Sequence, residues 1–348
     1  MKKRKTVFSV LFLLVLMGAT WLALKKIGKE MDFGKMSQFV SAGNKVCLAS
    51  AFLCMIFFVL IESSTLRCIN RHLGYDTGFF PSVVYAAADT YYSAITPSAA
   101  GGQASSVFYM VRDGVPVSAA TAVLLLNTIG YTASLDIIGV FTLLTNWKMF
   151  LRFEWSVQLL ILLGIVIQFF ALILFLMCMY RSAVVRRISM VLLRFLARIR
   201  IVRSPDRLEK KLEHTISQYA NCISAISANP WIIVKSLLLN TLQRVSQILI
   251  ISFVGVSTAS GISFTEAMAL QAFCMTGSNS VPFPGAMGAY EYLYLGTFGV
   301  FMKESVLIPS MMTARGISYY VCFIGCCILT WGYHAYTAGR RSAAKRAR

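Results

Sequence analysis

Negative charge is scarce in this chain. Only 14 of its 348 residues are Asp or Glu, and all charged residues together reach 14%, where soluble domains carry about 25%. Histidine is scarcer still: His72, His214 and His334 stand isolated, so no paired-imidazole metal site is available. There is no nucleophile elbow, no paired-carboxylate signature and no Gly-rich phosphate loop with its Lys. Cysteine is present nine times but not as a framework. Seven of the nine lie in apolar stretches and read as buried free thiols. The run Cys322-x3-Cys326-Cys327 does not have zinc spacing. These absences exclude a soluble enzyme of one or two domains and give no reason to expect a cofactor or metal.

What is abundant is apolar surface: 57% of residues, with a mean hydropathy of +0.68. A disordered chain is never this apolar. A helix needs about 20 apolar residues to cross a bilayer core, and the pattern predicts about six such spans: residues 7–24, 46–61, 117–144, 156–180, 231–256 and 305–333. The first follows Lys2, Lys3, Arg4 and Lys5 and lacks a small-residue cleavage site, so it reads as a retained anchor. The chain is therefore expected to be an all-α polytopic membrane protein. One integral membrane domain covers residues 1–340, and a basic tail covers 341–348.

The basic residues, 33 in all for a net charge of +19, gather in three clusters: positions 2–5, ten between Arg181 and Lys211, and five from Arg340 to the end. They flank apolar spans, as cytoplasmic segments do, so both termini and residues 181–229 are expected in the cytoplasm. A nucleic-acid partner is not expected, since its footprint would decorate a soluble face. Within 181–203 the apolar residues recur at helical spacing, which suits a helix lying on an anionic leaflet. Ser204-Pro205-Asp206 then starts a new helix, which ends near Asn229-Pro230. The lysines between residues 25 and 45 fall outside under this topology, a local departure from the rule.

Two segments are too short and too broken to cross. Residues 82–112 are interrupted at Thr96-Pro97 and Gly101-Gly102-Gln103. Residues 264–302 are interrupted by Pro282, Pro284, Gly285 and Gly288. Helices broken at membrane depth persist only inside protein or beside a water-filled cavity. The segments are expected to be two re-entrant helical hairpins that enter from opposite sides, as in inverted-repeat transporters. The alternative is a set of kinked pairs that span, for eight or more helices.

Ionisable residues at membrane depth are functional candidates: Asp89, Asp136, Arg244, Glu266, Glu291 and Arg315. Arg244 leads, because Asn240, Gln243 and Gln247 share its helical face. Either this stripe anchors a lipid phosphate, or Arg244 is the structural partner of Asp89, Asp136 or Glu291. Tyr85, Asp89, Tyr92 and Thr96 form one face ahead of the first break. Glu291 either caps its helix or binds substrate. Arg315 pairs with an acid or with lipid headgroups.

Two motifs carry a resemblance. Thr96-Pro97-x3-Gly101-Gly102-Gln103 and Pro282-x-Pro284-Gly285-x-x-Gly288-x-x-Glu291 are similar, in order and separation, to motifs of the transmembrane domain of lysylphosphatidylglycerol synthases. The chain departs from that pattern at Ala104, where Pro is common, and at Ala286, where the family often has Gly. The resemblance implies a membrane module that translocates an anionic or aminoacylated phospholipid across a bacterial plasma membrane. In full-length relatives a soluble domain transfers lysine from lysyl-tRNA to phosphatidylglycerol, and that domain is not present in this chain. A flippase is therefore expected, with residues of both motifs and the Arg244 stripe binding lipid. The alternatives are a phosphatidylglycerol lysyltransferase or another membrane transferase, or a partner subunit of a separate synthase or glycosyltransferase. The resemblance also links these to resistance against cationic peptides.

Overall fold

A computed structural model describes residues 33–96, 100–198, 205–258, 260–281, 284–286 and 288–346. The anchor at residues 7–24 and the tip residues Pro97 and Pro282 lie outside them. No strand occurs among the described residues. The helices are α1 (Phe33–Ala42), α2 (Lys45–His72), α3 (Phe79–Ile95), α4 (Ala100–Arg112), α5 (Val117–Thr145), α6 (Trp155–Tyr180), α7 (Ser182–Arg198), α8 (Pro205–Ser227), α9 (Pro230–Gly255), α10 (Phe264–Ser278), α11 (Ala289–Phe298), α12 (Glu304–Arg315) and α13 (Cys322–Arg346). A π turn, Gly316–Val321, joins α12 to α13 as one long rod.

Five helices are long and apolar enough to cross a membrane: α2, α5, α6, α9 and the rod over Glu304–Thr337. They match the five expected spans that fall on described residues. Helix α6 is apolar all round and exposes Leu162, Leu163, Val166, Phe169 and Phe170. A soluble protein would not leave so large an apolar face in water. The protein is an all-α, multi-pass membrane protein.

Local chemistry sets several helix starts. The Asn44 side chain accepts from the amides of Val46 and Cys47 at the head of α2. Pro205 and Pro230 occupy first-turn positions of α8 and α9, where a missing N–H costs nothing. Ser263 and Glu266 form a capping box on α10. Helix α2 overruns its expected end at residue 61 and continues to His72. The polar stretch that reads as a loop is helical because its inner face, Val59, Glu62, Leu66 and Ile69, is buried.

Both broken segments fold as antiparallel helix pairs. Hairpin 1 is α3 with α4, and hairpin 2 is α10 with α11. At about 1.5 Å per residue, α4 and α11 are far shorter than a roughly 30 Å core. The long rod shows how the hairpins are arranged. Hairpin 1 has its base beside the rod's far end, where Tyr333 donates to Asp113 (2.9 Å), and its tip beside Tyr319, which donates to the Ala94 carbonyl (3.0 Å). Hairpin 2 has its base beside α12, where Tyr294 and Ser310 hydroxyls are 3.0 Å apart, and its tip beside Arg315, which donates to the Gly285 carbonyl. The hairpins thus enter from opposite ends of the bundle and meet tip to tip at the π turn.

Hairpin 1 closes through its glycines. The Thr96 hydroxyl donates to the Tyr92 carbonyl (2.7 Å) and accepts from the Gly101 amide (3.0 Å). A Cβ at Gly102 would lie 2.0 Å from Ser93 Oγ and 2.2 Å from Asp89 Oδ1. A Gly102→Ala variant should therefore lose about 1–3 kcal/mol from forced overpacking. Thermal unfolding in detergent checks this, and a variant as stable as the parent would show that the arms are not held this closely.

Candidate functional site

The site is built around α9. Asn240, Gln243 and Arg244 are buried, and Gln247 is half-buried, while Lys235 on the opposite face is exposed. The expected polar stripe therefore faces protein. Asn240 Nδ2 donates to Asn127 Oδ1 (3.2 Å) and to the Ser236 carbonyl (2.9 Å). Gln243 Nε2 donates to Glu62 Oε2 (2.9 Å). Arg244 Nη1 donates to Gln247 Oε1 (2.7 Å). Its guanidinium carbon lies 4.3 Å from the Tyr131 ring centroid and 5.0 Å from that of Phe58. Two aromatic faces make a buried cation tolerable, each contributing about 2 kcal/mol when desolvated.

None of the three acids expected as a structural partner of Arg244 pairs with it. Among the described residues no carboxylate lies within 4.0 Å of its nitrogens, and its buried Nε has no hydrogen-bond partner. Glu291 pairs instead with Arg315, at 2.8 Å. Asp136 is buried in α5, and neither carboxyl oxygen has a hydrogen-bond partner. Asp89 Oδ1 accepts from Ser93 (3.0 Å). Glu266 caps α10 from a half-exposed position.

The acid that belongs to this site is Glu62. It is buried and within electrostatic reach of both Arg244 and Asp89. Sequence reading places the end of the span one residue before it. The available signal was the spacing of Leu66 and Ile69 beyond it, which continues the buried face of α2. Tyr131 was missed as well. Its hydroxyl donates to the Asn279 side chain, at the tip end of α10. Arg244 is thereby linked to hairpin 2, through Tyr131 to Asn279.

The second motif forms a clamp. Glu291 Oε2 accepts from the Gly288 amide (2.6 Å), which caps α11, while Oε1 takes the Arg315 ion pair. Arg315 Nη1 also donates to the Gly285 carbonyl (3.2 Å), and its guanidinium lies 4.2 Å from the Tyr290 ring centroid. Of the alternatives left open, the structure shows capping for Glu291 and pairing with an acid for Arg315. Gly285 has φ +60° and sits against Tyr319, where a Cβ would be 2.5 Å from the ring. Pro284 opens the short 3-10 turn Pro284–Ala286. In the first motif Gln103 Nε2 donates to Thr128 Oγ1 (2.8 Å), tying hairpin 1 to α5. Tyr92 is half-buried, and its carbonyl holds Thr96. Tyr85 turns away from the tip and donates to Asp113 at the hairpin base (2.8 Å).

Residues 6–326 match the family described as the lysylphosphatidylglycerol synthase TM region. The chain belongs to this family. A UPF0104 membrane protein from Archaeoglobus fulgidus is similar over a shorter stretch: 30% identical over 90 residues, covering 26% of this chain and 27% of that protein.

The family's frequent Gly at position 286 has a local explanation here. Ala286 has φ +52°, a left-handed conformation that costs an L-residue about 1–2 kcal/mol and glycine almost nothing. Ala286→Gly should stabilise the protein by about 1 kcal/mol, seen as a higher unfolding temperature in detergent. A lower unfolding temperature would mean that the methyl group's packing outweighs the strain.

Proposed function

We propose that this protein is a flippase-like carrier that moves an anionic or aminoacylated phospholipid, of the lysylphosphatidylglycerol type, across a bacterial plasma membrane. The supporting observation is Arg244, a buried guanidinium with an unsatisfied Nε, held by the Gln247 amide and two aromatic rings, one of which, Tyr131, bonds Asn279 at the tip end of α10. A planar fork of this kind grips phosphate oxygens bidentately. The start of α4 lies at the hairpin-1 tip and adds a positive helix end there. Opposed broken helices around a central polar site are the arrangement of alternating-access carriers. Family membership supports the lipid class. Delivering a cationic lipid to the outer leaflet would lower the surface's negative potential, which fits resistance to cationic peptides.

Reconstituted in liposomes, the protein should speed the exchange of labelled phosphatidylglycerol or its lysyl ester between leaflets. Arg244→Gln should lower that rate by about 10- to 100-fold, the equivalent of roughly 1.5–3 kcal/mol for a lost charge-assisted contact. Arg244→Lys should fall between, since a point charge replaces the fork. If Arg244 serves only to balance Glu62, both variants should mainly lower stability, and adding Glu62→Gln should restore it. A fully active and normally stable Arg244→Gln protein defeats the carrier reading of this site. The competing enzyme reading predicts lysylphosphatidylglycerol from lysyl-tRNA and phosphatidylglycerol with no second protein present.

The orientation is part of the same proposal. In a Cys-free background, a thiol placed at exposed Ser217 of α8 should be unreachable by an impermeant maleimide added to intact cells. Rapid labelling from outside would invert the topology.

A further inference from the structure

Helix α7 begins directly after the lipid-facing helix α6, with only Arg181 between Tyr180 and Ser182. It therefore starts at the membrane surface. No Asp or Glu occurs between residues 181 and 203. The apolar residues that recur at helical spacing fall on two different faces of α7. Val185 packs against the bundle core, and Leu193 is buried. Ile188 and Val191 lie on the other side and are 50% and 61% exposed. Half-buried Val184 stands one turn before Ile188 on that outer face.

The inner face is taken by protein. Arg186 pairs with Glu213 of α8 at 2.6 Å. Helix α8 is in turn tied to three spans. Tyr219 donates to the Cys178 carbonyl of α6 (3.0 Å), Ser118 of α5 donates to Gln218 (3.4 Å), and His72 of α2 bonds the Ala225 carbonyl (3.2 Å). The outer face carries cations that these ties do not use. Arg187 and Arg194 lie one turn to either side of Val191. Both are exposed, and neither pairs with an acid among the described residues.

We propose that the outer face of α7 docks on an anionic leaflet and senses its charge: Val184, Ile188 and Val191 enter the headgroup layer, and Arg187 and Arg194 lie against lipid phosphates. Water drives the apolar strip out, and a helix with cations beside such a strip lies in the interface plane. A soluble acidic partner would engage the arginines but would have to displace the bilayer from a strip that starts where α6 leaves it. Each cation at the surface gains from the leaflet's negative potential, about fivefold in the docking equilibrium per charge. Docking therefore follows the fraction of anionic lipid. Where that fraction falls, α7 is held by its inner face alone, through α8. This surface is separate from Arg244 and stands whether or not the protein moves lipid.

The test uses the full chain with a nitroxide on Val191→Cys in a Cys-free background, in phosphatidylcholine vesicles with or without phosphatidylglycerol. With the anionic lipid the label should be open to oxygen and closed to an aqueous nickel chelate. Without it the chelate should reach the label. Arg187→Gln combined with Arg194→Gln should lower the ratio of docked to free label about 25-fold, the product of two such charges. Salt at about 1 M should act in the same direction by screening the surface. A nitroxide at exposed Ser217 of α8 should stay open to the chelate in both vesicles. A chain that keeps its nine cysteines and carries benzoylphenylalanine in place of Val191 guards against a Cys-free protein that fails to fold. Under ultraviolet light it should cross-link to lipid in the anionic vesicles and far less in the neutral ones. A Val191 label open to the chelate in anionic vesicles, equal burial in neutral ones, insensitivity to the double substitution, or equal shielding of Ser217 would each overturn the proposal.

Discussion

A helix that stops inside a bilayer leaves up to four N–H and four C=O groups without intrahelical partners, and hydrocarbon offers none, at a cost of several kcal/mol per group. This protein has four helix ends in that position, two at each hairpin tip, and each tip is closed by a different device. In hairpin 1 one hydroxyl serves both sides of the break, since Thr96 Oγ1 bonds the Tyr92 carbonyl and the Gly101 amide. In hairpin 2 a carboxylate caps the outgoing helix through Gly288, and the arginine that pairs with it reaches the Gly285 carbonyl. The motif residues fit these roles: a hydroxyl, two glycines that let the helices touch, an acid three residues into a helix, and a glycine in a left-handed conformation.

Closing the tips allows them to meet, and where they meet the supporting helix itself changes. The rod from Glu304 to Arg346 is α-helical on both sides of the π turn Gly316–Val321. Such turns are rare and concentrate at functional sites. Tyr319 within it packs against Gly285 of one tip and bonds the Ala94 carbonyl of the other. Arg244 projects from α9 between the rings of Tyr131 and Phe58. The buried guanidinium is stabilised by ring faces and the Gln247 oxygen, and its Nε donor is unspent.

The sequence made legible whatever depends on local periodicity and on breakers. The five described spans, both hairpins with their opposed entry, the helix start at Pro205 and the buried stripe on α9 follow from spacing, Pro and Gly. Long-range pairing was not legible. The Glu62–Gln243 contact joins residues 181 positions apart, and Ser63, Ser64, Thr65 and Arg67 around Glu62 resemble a loop, which masks the interior spacing of Leu66 and Ile69. Arg244 was expected on a face turned toward protein and is buried there, but its surroundings were not legible, since aromatic rings are too common in this chain for any one of them to stand out.

The two hairpins are also held with different strength, which follows from the chemistry of their ties. Hairpin 2 is fixed by a partly buried ion pair, with Arg315 and Glu291 side chains 12% and 30% exposed, and such a pair costs several kcal/mol to break one-sidedly. It is further fixed to α6, where Tyr292 bonds Ser156 (2.6 Å) and Ser280 bonds the Gly164 carbonyl (3.0 Å). The tip of hairpin 1 is tied by neutral hydrogen bonds, from Tyr319 to Ala94 and from Gln103 to Thr128, each contributing about 1 kcal/mol net. Its stronger anchoring lies at the base, where Asp113 takes two tyrosine hydroxyls and Arg112 holds the end of α13. The tie between the two tips is thus weaker than the ties holding either hairpin to the bundle.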